Sequence, residues 1–283
     1  MAPSDQLKAL VDQMPDPDGR GMYCTDIDAA KIEKAVAAMH RGGREAIVGL
    51  IDMLVEPLQG DDVRPVKAKY ALHCLALAVC NLADDKPRSE FSLTLASQLG
   101  GDRPKAVQAY LVQELQTAGG REVAETLGTL LADDALCEPA AQALAAIGDG
   151  AAEQLRGALG KAAGKRRLTI IQNLGVLRDA TSVAALREAV GDPDAGIRLA
   201  AGWALANIGD QGAVDLLLRA AKTAKGWERI QMTKACLLLA EKLQTPGKQS
   251  ATAKASSEEA GNEGAGQVFN DANGVAARRR VGK

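Results

Sequence analysis

"WALANIGD", Trp203 to Asp210, decides the fold, because the chain writes it more than once. "QALAAIGD" occupies Gln142 to Asp149, "QNLGVLRD" Gln172 to Asp179, and "KACLLLAE" Lys234 to Glu241. Leu144, Leu174, Leu205 and Cys236 fill the same place in the four phrases, at steps of 30, 31 and 31. The closing acids Asp149, Asp179, Asp210 and Glu241 step identically. Between phrases a second amphipathic segment recurs as "AAEQLRGAL", "SVAALREAV" and "GAVDLLLRA", with Leu155, Leu186 and Leu217 spaced by 31. A period near 30 that holds two helices predicts an all-α solenoid of stacked helical pairs.

Composition agrees. Hydrophobic residues make up 47% of the 283 but aromatics only 2%, so the core is built from Ala, Leu, Ile and Val, which favours helix. No run of about 18 apolar residues predicts a transmembrane helix. The N-terminal "MAPSDQLKALVDQMP" lacks the basic and apolar regions of a secretory signal. Cys24, Cys74, Cys80, Cys137 and Cys236 are an odd, scattered set that reads as free thiols in a reducing compartment, so a cytoplasmic protein is expected. Net charge is −2; from Gln244 onward six Lys/Arg stand against four Asp/Glu, leaving the body 28 basic against 32 acidic. A mildly acidic body is a poor match for phosphate backbones and argues against a nucleic-acid partner.

"DPDAGIRLAAGWALANIGD", Asp192 to Asp210, resembles the short bacterial HEAT repeat, the type also found in phycobilisome-lyase-like proteins. Asp192, Pro193, Arg198, Ala200, Ala201, Leu205, Ile208, Gly209 and Asp210 carry the resemblance, which covers residues 103–243 clearly and 28–100 loosely. It implies a right-handed superhelix whose second helices line a concave surface, with a polar ladder between neighbouring repeats. Arg167, Arg198 and Arg229 recur in step and, with Asp179 and Asp210, are the expected ladder; Cys137 interrupts it in the earlier copy. Gly148 and Gly209 fall where a helix must end, and Pro139 and Pro193 where one begins.

The N-terminal third follows the same grammar with more drift. "GGREAIVGLIDML" resembles "GGREVAETLGTLL", a long helix is expected from Arg64, and two further helices each open at Pro and close at Gly-Gly. About thirteen helices and no strands are expected: a short helix and loop over 1–27, the solenoid over 28–243, and a low-complexity tail over 244–283 too polar to order itself. The last phrase has an apolar face with no following helix to cover it. The tail folding back, a docked partner or second copy, and lost downstream repeats each remain open there.

Chemistry is scarce. The two histidines, His40 and His73, precede Arg41 and Cys74, so the His-Glu pairs of HEAT-like di-iron hydroxylases are missing. His73 reads as a helix-packing residue and His40 as a polar helix end. His73 and Cys80 could share a helix face, but Cys74 points about 100° away, and no CxxC or HxxxH spacing supports a metal. The loop from Asp16 to Ile27 has Arg20 and Ile27 where a calcium loop needs carboxylates. No catalytic, metal or cofactor residue is assigned. "ARRRVGK" at the C-terminus reads as solvated charge.

A partner surface follows from the repeat. At about 100° per residue, positions 196, 200, 203 and 207 share one side of a helix, with Ile197, Ala201, Ala204, Leu205 and Ile208 opposite. Shifted by 31, the outward stripe reads Lys165, Thr169, Gln172, Val176; then Gly196, Ala200, Trp203, Asn207; then Trp227, Gln231, Lys234, Leu238. Both tryptophans of the chain fall on it. Trp in a polar surround marks binding hot spots; the competing reading is that both rings merely pack over neighbouring repeats. Trp203, Trp227, Asn207, Gln172, Lys165, Gln231 and Lys234 are the candidate partner-binding residues. The function expected is a non-enzymatic protein-interaction scaffold. As the alternative, the resemblance implies a lyase-like enzyme or enzyme subunit, or, less favoured by charge, a HEAT-like nucleic-acid binder.

Overall fold

Asp194 starts the helix that carries the quoted phrase. Its carboxylate accepts from the backbone N–H groups of Gly196 (2.7 Å) and Ile197 (3.3 Å), an N-cap that satisfies donors the helix cannot. The helix runs Ala195–Ile208 and stops at Gly209, whose φ of 82° reverses the chain. Similar local rules produce fourteen α-helices in the computed structural model, which describes residues 3–17, 27–54 and 63–244; about thirteen were expected. They are α1 (Asp5–Val11), α2 (Ala29–Arg41), α3 (Gly43–Asp52), α4 (Arg64–Cys80), α5 (Lys86–Ala96), α6 (Lys105–Ala118), α7 (Ala124–Leu130), α8 (Cys137–Ile147), α9 (Ala151–Leu159), α10 (Gly164–Leu177), α11 (Val183–Ala189), α12 (Ala195–Ile208), α13 (Val214–Thr223) and α14 (Gly226–Gln244). There is no strand among the described residues. Single 3₁₀ turns precede α7, α11 and α13, at Arg121–Val123, Ala180–Ser182 and Gln211–Ala213. The loop expected near residues 18–26 and the tail from residue 245 lie outside the described residues, as does Cys24.

The chain divides into two compact units, Met1–Asn173 and Leu174–Lys283. Within the first, α2, α4, α6 and α8 pack side by side as one layer, and α3, α5, α7 and α9 form a second layer against it. Helix α1 packs on α2, α3 and α4. Within the second unit, α12 and α14 lie side by side, with α11 against α12 and α13 against α14.

The recurring leucines are the core. Leu144, Leu155, Leu174, Leu186, Leu205 and Leu217 are each fully buried. Burying one such side chain contributes roughly 1.5–3 kcal/mol. Around them the helices approach through alanine: Ala200, Ala201, Ala204 and Ala206 of α12 are all buried. Ala200 was expected on the outward stripe, but a methyl group is too short to rise above its neighbours.

The phrase endings show what the backbone demands. Gly148 and Gly209 take φ of 77° and 82°, the left-handed region that glycine enters without steric cost. Arg178 stands at the same place in "QNLGVLRD" and is held at φ 53°, and it is the one non-glycine residue so placed among the described residues. An L side chain there costs on the order of 1–2 kcal/mol. Arg178→Gly is therefore expected to stabilise the protein by about 0.5–1 kcal/mol, and Gly209→Ala to destabilise it by about 1 kcal/mol. Urea unfolding of the two variants beside the wild type checks both signs.

Candidate partner-binding face

Trp203 sits in the middle of α12 and leans over α10. A methyl group placed on Gly175 would come within 2.7 Å of the Trp203 ring and 2.7 Å of Ala204 Cβ, so the indole occupies the space that glycine leaves open. One turn on, the Asn207 side-chain amide donates to the Gly175 carbonyl at 2.7 Å. These two stripe residues therefore hold α12 against the end of α10. Trp203 nevertheless keeps 37% of its surface exposed, so part of the ring faces solvent.

Trp227 has a different environment. It follows Gly226, whose φ is 53°, in the first turn of α14, and it is 66% exposed. Gln231 and Lys234 continue the stripe along α14, half-buried and exposed respectively. Lys165 and Gln172 lie in the first unit, both exposed; Lys165 pairs with Glu138 at 2.8 Å. Lys234, Gln231 and the two tryptophans lie on α12 and α14, which are in direct contact.

The polar links between repeats use partners that the recurrence did not name. Arg198 forks onto Glu228, Nε to Oε1 at 2.7 Å and Nη2 to Oε2 at 2.9 Å, and its Nη1 donates to the carbonyls of Asp192 and Pro193. The bond from Arg198 holds the Glu228 carboxyl below the usual carboxylate range. Asp210 accepts a second fork from Arg187, at 2.7 and 2.8 Å, and its Oδ1 also caps Gly212 N–H. Arg121 reaches Asp149 at 2.7 Å, and Arg166 reaches Asp134 at 2.8 Å. Arg167 donates to the Leu159 carbonyl, the Asp179 carbonyl accepts from Ser182, and Arg229 is exposed. Glu228 and Arg187 were missed because the repeat fixes positions, whereas a long side chain chooses its partner in space.

His73 departs from its expected packing role. It stands exposed on α4, its Nδ1 3.1 and 3.3 Å from the two carboxylate oxygens of Glu114, which is buried on α6. Beside it the Tyr110 hydroxyl donates to the Lys69 carbonyl at 2.7 Å, and the Lys69 ammonium lies 5.4 Å from the centre of the Tyr110 ring. The Glu114 hydrogen bond raises the His73 pKa from 6.5. Cys74 and Cys80 are half-buried nearby, and no group of three or more His, Cys, Asp or Glu among the described residues is placed to hold a metal.

Two measurements follow. Trp203→Ala empties the space over Gly175 and is expected to cost about 1–2 kcal/mol, reduced from a fully buried Trp by its exposed edge, whereas Trp227→Ala should stay within about 0.5 kcal/mol. Thermal melts of the two single variants compare them directly. Because His73 is more basic folded than unfolded, its pair with Glu114 stabilises fully below about pH 6.5 and fades as pH rises through the raised folded pKa. The stability difference between wild type and His73→Ala should thus be larger at about pH 6 than at about pH 8, in urea titrations at each pH.

The geometry can be set beside known proteins. Residues 153–237 match the family model of HEAT repeats. No curated protein matches the chain. Among solved structures, one engineered protein is 18% identical over 83% of this chain and 68% of its own, with a TM-score of 0.42. Another engineered protein is 18% identical over 84% of this chain and 98% of its own, at 0.31. A chain from work on a phosphorylation switch in the interaction between cadherin and beta-catenin is 14% identical at 0.39; 89% of this chain is covered, and it spans 58% of that one. The family match and the recurrence of helical pairs with buried leucines in register agree: residues 153–237 carry HEAT repeats.

Proposed function

We propose that the protein is a protein-interaction scaffold that docks a partner on the α12–α14 face of its second unit. The single observation that carries this reading is Trp227, 66% exposed, with Trp203 37% exposed on the neighbouring helix, in a chain that has only these two tryptophans. Leaving an indole in water forfeits the burial that stabilises it elsewhere, and partly wet Trp anchors amid polar side chains are the usual make-up of binding hot spots. Repeat solenoids in general use such extended helix faces for binding. Asn207 holds α12 in place beneath the face, and Gln231 and Lys234 give it a polar rim. The reading is of a cytoplasmic protein, in keeping with five scattered cysteines in the chain. No described helix is long and apolar enough to cross a membrane.

Site-specific photo-crosslinking tests it. A photoreactive residue at position 227 or 234 is expected to capture the same protein from source cells, and one at Glu188, on α11, is expected to capture none of it. If Trp203→Ala/Trp227→Ala, still folded, retains every captured protein, the face is not where the partner binds.

A further inference from the structure

The exposed face of α14 carries a charge pattern that the overall composition conceals. The chain has a net charge of −2. Yet Lys222 at the end of α13, Lys225 in the connecting turn, and Arg229 and Lys234 on α14 are all exposed and have no acidic side chain paired with them among the described residues. Glu228 is the one carboxylate in this stretch, and the Arg198 fork already neutralises it. Lys234 shares the Trp227 side of α14, Arg229 lies about 80° beyond Leu237 on its flank, and none of the four cations is locally compensated.

Apolar groups are interleaved with them. Ile230 is 56% exposed and Leu237 66%. At 100° per residue, Trp227, Ile230, Lys234 and Leu237 fall within about 80° of one another around α14. Met232, Ala235 and Leu239, on the opposite side, are buried. From Trp227 to Leu237 the face extends about 15 Å, the length of roughly three helical turns. A surface that alternates apolar and cationic groups over three turns is complementary to a helix with apolar residues on one side and carboxylates flanking them. A nucleic acid fits less well, since Ile230 and Leu237 give bases no aromatic surface to stack on.

We propose that the partner segment is an acidic amphipathic helix, its apolar side chains seated on Trp227, Ile230 and Leu237 and its carboxylates facing Lys225, Arg229 and Lys234. This rests on the scaffold reading and adds the chemistry of the occupant. Apolar contacts supply the affinity, and the cations select the sign of the partner and speed its encounter.

The experiment uses the full chain and a fluorescein-labelled synthetic peptide about four turns long, with Leu on one helical face and Glu on the rest. Fluorescence anisotropy compares it with the same peptide bearing Lys for Glu, with one bearing Ser for Leu, and with oligodeoxythymidine. The Leu/Glu peptide is expected to bind, more weakly as salt rises. Trp227→Ala and the double variant Lys225→Glu/Arg229→Glu are each expected to weaken it by about tenfold or more. Circular dichroism establishes that both variants, which alter exposed side chains only, remain folded. Equal binding of the Lys peptide, with loss on Trp227→Ala, overturns the acidic partner and leaves the docking face standing. Tighter binding of oligodeoxythymidine overturns it in favour of a nucleic acid. No binding of the Leu/Glu peptide, or binding that neither variant changes, overturns the site.

Discussion

A pair of helices thirty residues long cannot cover its own apolar stripe, and everything else in this protein follows from that shortage. Leu186, Leu205 and Leu217 are each fully buried, on helices α11, α12 and α13 that pack against α12 or α14. The remedy is repetition at fixed spacing: the same leucine, in the same place, against the next copy. Cys236, the member of the series in the last phrase, is only half-buried.

Close stacking restricts the chemistry of the surface. With alanine and glycine setting the distance between helices, there is room for few large side chains, and the aromatic content of 2% reflects it. Trp203 is tolerated because Gly175 lies beneath its ring. Trp227 is tolerated because it projects into solvent from the first turn of α14. Two residues with the same name on the same stripe therefore differ in setting: one holds two helices together and keeps an exposed edge, while the other projects into solvent.

Charge is divided in the same way. Forked pairs such as Arg198–Glu228 and Arg187–Asp210 tie successive repeats together, and each uses a carboxylate that would otherwise balance a nearby cation. Exposed pairs of this kind add little stability one by one. Their larger effect is on the surface that remains: around Trp227 the acids are spent and the cations are not.

The period, the two helices in each copy, the capping glycines and the buried leucines were all legible in the sequence, because each is a local demand of a helix repeated every 30 or 31 residues. Helical periodicity also put both tryptophans on one stripe, and both are exposed, whereas Thr169 and Ala200 of the same stripe are buried. Partner choice was not legible in the sequence. That Arg198 would reach Glu228, that His73 would stand exposed over a buried Glu114, and that Ala200 would be covered all depend on side-chain length and on how near the next helix lies. Arg178 could be read as a departure from glycine, but only the folded backbone holds it at φ 53°. Sequence determined which residues recur, because recurrence is written along the chain; tertiary structure decided which of them are spent on packing and which are left exposed, because exposure is a property of neighbours.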